Sequence, residues 1–144
     1  MCRLAATHRR VCTRSTVTHG TTLYGLAYLV QGFGLSPIIS TACPACADLL
    51  VGSEGVNTLD NGPIAQPGIA YTTLISRLDE AVTPYTSPAI DEPGVHNIVA
   101  QDRCPSDPVG HTGLAYDTGV TTMIANALDP AHPAAVTCVL GPLG

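Results

Sequence analysis

Two side chains in the second half of the sequence, Asp79 and His111, are of the types that act together in acid–base catalysis. An imidazole can take a proton from a serine hydroxyl, while a carboxylate fixes the imidazole tautomer and stabilises the imidazolium that forms. The pair therefore predicts activation of a hydroxyl nucleophile, provided that both side chains reach the same place. An aspartate in a turn or helix cap and a solvated loop histidine are the structural alternatives.

The segments that precede these two residues decide whether they meet. Residues 69–77 are rich in β-branched and aromatic side chains and predict a strand that ends just before Asp79, ahead of a turn at Thr83 and Pro84. Residues 95–101 predict a second strand, and a polar loop over 102–112 contains His111. Because parallel strands end at a common edge of their sheet, we expect Asp79 and His111 to emerge there together.

The remaining segments predict helices and loops around this sheet. A helical period begins in the run His19 to Thr22, with Thr21 or Thr22 as its cap and Gly32 or Gly34 at its end. Three further segments are predicted: a short helix ending at residue 50, a loop over residues 52–67, and a helix over residues 116–128. The order strand, loop, strand, loop, helix is typical of a parallel α/β layer.

Several runs of the sequence resemble, in the same order, segments of the secreted triacylglycerol lipases and esterases of actinomycete bacteria, which belong to the α/β-hydrolase superfamily. The runs are HGTTLYGLA, CPACADLLVGS, SRLDEAVTPYTS, PGVHNIVAQDRCPSD, GHTGLAYD and NALDPAHP. The resemblance implies that Asp79 is the acid and His111 the base of a triad that hydrolyses acylglycerol or other esters without a cofactor. It also implies a partial α/β-hydrolase fold, the C-terminal part of a mostly parallel sheet with flanking helices.

The nucleophile of that family is missing from this sequence. The family carries its serine in a G-x-S-x-G elbow upstream of the HGTT run, and no such motif occurs here. The near match VGSEG has a glycine directly before Ser53 and follows a predicted helix, so we interpret Ser53 as a loop residue. The oxyanion-hole segment is also missing. We therefore expect the chain to correspond to the C-terminal half of such a lipase and to be inactive, or nearly so, by itself.

Charge is divided unevenly between the start and the rest of the chain. Four of the six arginines lie in residues 1–14, so residues 15–144 hold two arginines and eleven acids, a net charge of 2 − 11 = −9. We predict that residues 1–18 are an atypical basic segment produced by a late start or a frameshift, and that residues 19–144 are the lipase-like domain. The acidic body excludes the usual basis of nucleic-acid binding.

Location and membrane attachment follow from the same segment. Residues 1–18 contain no apolar run of the length that a signal peptide or a membrane anchor needs. The resemblance implies a secreted family, whereas the chain as written is expected in the cytoplasm or at an unknown location, with no transmembrane segment.

Four of the six cysteines lie inside the region of resemblance: Cys43, Cys46, Cys104 and Cys138. We expect disulfides between Cys43 and Cys46 and between Cys104 and Cys138, as in a secreted protein, and no metal. Two alternatives stay open. One is a zinc site of Cys43, Cys46, Cys104 and His111, and the other is a thioredoxin-like centre at the C-P-A-C motif.

The length fits one domain, and a composition of 45% hydrophobic and 12% charged residues is too apolar for a disordered tail. Besides ester hydrolysis, two other classes of function remain open. The chain could be a non-catalytic remnant that binds lipid or a partner through an open sheet edge and apolar surface. It could also be a small redox or zinc protein built on the C-x-x-C motif.

Overall fold

The computed structural model describes residues 9–138 and contains a sheet of three parallel strands. The strands are β1 (Arg9–Arg14), β2 (Ile69–Ile75) and β3 (Val95–Val99), and β2 lies in the middle. In this register Leu74 of β2 lies between Arg14 and Ile98. All three strands therefore end at the same edge of the sheet.

Helices and turns occupy the connections between the strands and the region that follows β3. They are α1 (Leu26–Gly32), α2 (Ser36–Ala42), α3 (Pro44–Asp48), α4 (Glu54–Leu59), α5 (Ala100–Arg103), a 3₁₀ turn at Gly113–Ala115 and α6 (Thr118–Leu128). The first four form a long excursion between β1 and β2. This parallel sheet with flanking helices is the partial α/β fold that the sequence predicts.

The hydrophobic core lies between the sheet and the region that follows β3. Its members are Leu74, Ala100, Cys104, Val109, Leu114, Val120 and Met123. Leu74 comes from the central strand, whose last three residues are all buried, as expected where a parallel sheet is covered. Helix α6 begins where the Asp117 carboxylate accepts a hydrogen bond of 2.7 Å from the Val120 amide.

Three predicted boundaries were wrong, two of them where side chains make tertiary contacts and one where a local cap starts a helix. The helix predicted to be capped by Thr21 or Thr22 ends at Gly32 as expected but begins only at Leu26, since Thr21 and Thr22 bind the loop that follows β2 instead of capping it. The predicted loop 52–67 contains helix α4. The predicted strand 95–101 ends at Val99, where α5 begins and directs the Gln101 side chain inward.

Among residues 9–138, no helix has both the length and the apolar composition needed to cross a membrane.

Candidate functional site

Asp79 lies four residues beyond the end of β2, in a tight turn whose geometry surrounds its carboxylate with donors. The side chain is fully buried. Its Oδ1 atom accepts hydrogen bonds from the backbone amides of Ala81 at 2.9 Å and Val82 at 2.7 Å. Burying a charge is costly unless it is hydrogen-bonded, so this turn is built to hold a carboxylate.

His111 meets this carboxylate from the loop that follows α5. Its Nδ1 atom lies 2.9 Å from Oδ2 and 3.1 Å from Oδ1 of Asp79. The backbone amide of His111 donates to the carboxylate of Glu80 at 3.0 Å, which fixes the loop beside the turn. The imidazole is 35% exposed, and its Nε2 atom has no hydrogen-bond partner among residues 9–138. The structure thus brings together the two side chains that the sequence singled out.

A buried hydrogen-bond network joins the end of β2 to the loop that carries His111. Ser76 donates to the carbonyl oxygen of Val109 and accepts from the Gln101 amide at 3.0 Å. Gln101 also donates to the carbonyl of Asp107 at 3.2 Å and accepts from the backbone amide of Arg77 at 2.9 Å. Sequence reasoning missed Ser76 and Gln101; polar residues inside predicted strands were the signal that could have found them.

A second set of contacts anchors the turn from the opposite side. The Thr21 hydroxyl donates to the carbonyl of Ala81 at 2.7 Å and accepts from the amide of Thr83 at 3.0 Å. The amide of Thr22 donates to the carbonyl of Thr83 at 2.7 Å. The HGTT run therefore holds the turn that carries Asp79.

Ser15 is a further site residue that sequence reasoning missed. It follows the last residue of β1, is 4% exposed, and has a left-handed backbone with a φ of 37°. Its hydroxyl donates to Oδ2 of Asp79. Residues 1–18 were predicted to be an atypical basic segment, and only the pairing of β1 with β2 places Ser15 beside Asp79.

Ser53 caps a helix outside this site. It is the N-cap of α4, where its hydroxyl donates to the carbonyl of Asp48 at 2.6 Å and accepts from the amide of Val56 at 3.1 Å. Ser53, interpreted from the sequence as a loop residue, thus has a structural role at the junction of a loop with α4.

The cysteines of the predicted pairs lie at bonding distance. The sulfur atoms of Cys43 and Cys46 are 2.02 Å apart, and those of Cys104 and Cys138 are 2.11 Å apart. This is compatible with the expected pairing. Cys43 follows helix α2 rather than a strand, so the C-P-A-C motif does not have the placement of a thioredoxin-like centre. Among residues 9–138, no three or more His, Cys, Asp or Glu side chains form a group suited to a metal ion.

Four other titratable side chains make no hydrogen bond to the Asp79 or His111 side chains; they are those of His19, His96, Cys12 and Arg77. His19 lies between Oδ1 of Asp60 and the carbonyl of Ala89, at 3.0 Å from each, and His96 is exposed on β3. Burial raises the pKa of the free Cys12 thiol above its ordinary value of 9.0, against a smaller opposing effect of Arg14. A hydrogen bond to Asp102 raises the pKa of Arg77.

Comparison with known proteins supports the fold at a coarse level. No protein-family model and no curated protein sequence matches the chain. Among solved structures, the chain is similar to lipase B of Aspergillus fumigatus, with a TM-score of 0.50 and 24% sequence identity over 62% of this chain. The match covers 24% of that lipase, so the chain spans about a quarter of its length. At this identity the likeness shows a lipase-like α/β fold and nothing finer.

Proposed function

We propose that this chain supplies the acid and the base of a carboxylic-ester hydrolase, with Asp79 as the acid, His111 as the base, and acylglycerol or related esters as substrates. The observation that carries the proposal is the buried Asp79 carboxylate bound to Nδ1 of a half-exposed His111. Binding at Nδ1 leaves Nε2 as the atom that can take a proton from a hydroxyl. The sequence resemblance to secreted actinomycete lipases and the lipase-like fold support the same assignment.

In this mechanism the imidazole takes the serine proton as the serine oxygen attacks the ester carbonyl, and it returns that proton to the leaving alcohol. Asp79 keeps the ring in the tautomer that exposes a basic Nε2 and stabilises the imidazolium. Water then hydrolyses the acyl-enzyme by the same route. None of these steps requires a metal or an organic cofactor.

The serine is the part that this chain does not provide. Among residues 9–138, no serine hydroxyl is hydrogen-bonded to the His111 ring, and the 144 residues contain no G-x-S-x-G motif. We therefore propose that the nucleophile belongs to a segment outside these 144 residues, and that residues 19–144, together with the strand β1 that pairs with β2, are the C-terminal portion of a lipase domain.

The test compares the 144-residue chain with a version extended at its N-terminus by the upstream coding region, using p-nitrophenyl esters of several chain lengths. We expect hydrolysis only by the longer version, and a fall in its kcat of about 10⁴-fold or more when His111→Ala is introduced. His96→Ala, on the exposed face of β3, is the matched control and should leave kcat unchanged. Full activity of the long His111→Ala variant would overturn the assignment.

A second candidate function rests on a different observation. Residues 15–47 contain no Asp, Glu, Lys or Arg, and many of their large apolar side chains are exposed, including Tyr24, Phe33 and Ile38. Beside them lies an apolar groove of about 220 Å³ lined by Leu26, Val30 and Leu50. Such a surface suits a non-catalytic lipid-binding protein.

Sedimentation with zwitterionic phospholipid vesicles tests this candidate. We expect Phe33→Asp to weaken vesicle binding, whereas Tyr116→Asp, at an equally exposed aromatic outside the surface, should not. If the unmodified chain stays in the supernatant, the lipid-binding candidate is excluded.

A further inference from the structure

We infer that Ser15 is a positioning residue: its hydroxyl fixes the Asp79 carboxylate so that His111 is held in the tautomer with its proton on Nδ1. The inference rests on the proposed function, because this tautomer matters for catalysis only if His111 is the base. It adds a residue from β1, distant in sequence, to a site otherwise built from the regions that follow β2 and β3.

The hydrogen bonds around Asp79 show why Ser15 is needed. Oδ1 is held by the amides of Ala81 and Val82, which belong to the same turn as the carboxylate. Oδ2 receives the Ser15 hydroxyl and is the oxygen closer to Nδ1 of His111, at 2.9 Å. Without Ser15, Oδ2 would keep only the imidazole as a hydrogen-bond partner within the described residues 9–138. Ser15 therefore limits rotation of the carboxylate about its Cβ–Cγ bond.

The backbone of Ser15 supports a role for its hydroxyl. With a φ of 37° the residue is in the left-handed region, which side chains disfavour and which glycine adopts without strain. Its amide still donates to the carbonyl of Leu74 at 2.8 Å, so the strand pairing continues through it. A strained backbone at such a position is consistent with a function for the side chain that glycine would lack.

The same geometry separates Ser15 from a nucleophile. A nucleophilic serine donates its proton to Nε2 of the base, whereas Ser15 donates to the acid on the opposite side of the imidazole. Its residual exposure of 4% also leaves little access for an ester. Ser15 thus acts through Asp79.

The experiment measures the tautomer of His111 by two-bond ¹H–¹⁵N correlation spectra of the full chain, labelled at histidine nitrogen, under conditions where the ring is neutral. Two variants lack the hydroxyl: Ser15→Ala keeps the backbone strain, and Ser15→Gly removes it. Both variants lose the charge-assisted hydrogen bond from Ser15 to Asp79, so the carboxylate can rotate away from Nδ1 of His111. We therefore expect both to lower the ratio of the Nδ1–H to the Nε2–H tautomer by about threefold or more. Ser53→Ala, which removes the capping hydroxyl of α4, is the control and should leave the ratio unchanged.

Three results would overturn the inference. The first is an unchanged tautomer ratio in both Ser15 variants. The second is a normal ratio in Ser15→Gly alone, which would assign the effect to the backbone. The third is an equal shift in Ser53→Ala, which would indicate general destabilisation. Labelling of Ser15 by a fluorophosphonate, detected by mass spectrometry, would also overturn it and make Ser15 a nucleophile. The spectra need no turnover, so a failed ester assay would contradict the proposed function and leave this measurement standing.

Discussion

Two regions of the molecule differ in which side chains they bury. One is the sheet edge, formed by Ser15, Ser76, Asp79, Gln101 and His111, and the other is the helical segment, residues 20–60. At the sheet edge, all of these side chains except that of His111 are buried and hydrogen-bonded to one another or to the backbone. In the helical segment, many large apolar side chains are exposed, and α2 and α3 have no buried residue.

The difference indicates which region stabilises the fold and which region is available to contact other molecules. Burial removes hydration from polar groups, so a buried polar cluster persists only if its members satisfy one another, and this makes the sheet edge rigid. Apolar groups exposed on short helices contribute little to folding and remain free to contact lipid, substrate or protein. The predictions below test this division, beginning with the largest expected effect.

Truncating a core side chain should cost far more than truncating a similar one in the helical segment. Leu74 of β2 is fully buried, whereas Leu29 of α1 is 57% exposed. We expect Leu74→Ala to lower the free energy of unfolding by about 2–5 kcal/mol, and Leu29→Ala by no more than about 0.5 kcal/mol. Urea denaturation followed by circular dichroism measures both. Equal losses would contradict the division.

The two disulfides should differ in the same direction. The bond between Cys104 and Cys138 closes a loop with a sequence separation of 34, and that between Cys43 and Cys46 one of 3. Loop-closure entropy predicts a loss of about 4 kcal/mol for Cys138→Ser and about 2 kcal/mol for Cys46→Ser. Urea midpoints under oxidising conditions would show the order. A larger loss for Cys46→Ser would mean that the helical segment carries more of the stability than its packing suggests.

Two aspartate–histidine pairs offer a matched comparison between buried and exposed polar contacts. Asp79 is fully buried beside His111, while Asp60 is 32% exposed beside His19. Asp79→Asn should cost about 1–3 kcal/mol because it leaves buried donors badly paired, whereas Asp60→Asn should cost less than about 1 kcal/mol. Thermal unfolding of both variants at neutral pH measures the two losses. If Asp79→Asn left the stability unchanged, the turn would not depend on the charge of the carboxylate.

The smallest effect concerns the Cys12 thiol on β1. Burial raises its pKa in the folded chain, so above the ordinary value of 9.0 the unfolded chain loses its proton first. The contribution of this thiol to stability is therefore complete below pH 9.0 and declines as the pH rises toward the folded pKa. In a Cys2→Ser background, we expect iodoacetamide to modify Cys12 more slowly in the folded chain than in urea between pH 7 and 9. Equal rates would contradict the burial of Cys12.

Much of the sheet was predictable because its signals are local. The β-branched run that forms β2 lies almost where the sequence places it, and the parallel pairing with β3 follows from the order of elements. Helix α6 ends at Leu128 as predicted but begins two residues later than predicted, because Asp117 is its N-cap. Helix α4 was missed because glycine and asparagine residues around it favour loops, while Ser53 and its capping bonds stabilise a short helix there.

The sequence by itself determined which residues are chemically competent and at which strand ends they lie, since strand patterns and side-chain types are properties of neighbouring residues. It placed Asp79 and His111 beyond two consecutive strands, and the structure shows them in contact. Only the tertiary structure decided that β1 pairs beside β2, which brings Ser15 to Asp79 from a distant part of the chain. It also decided that Ser76 and Gln101 hold the His111 loop. These contacts depend on register and on the burial of polar groups between elements, and no local pattern encodes either.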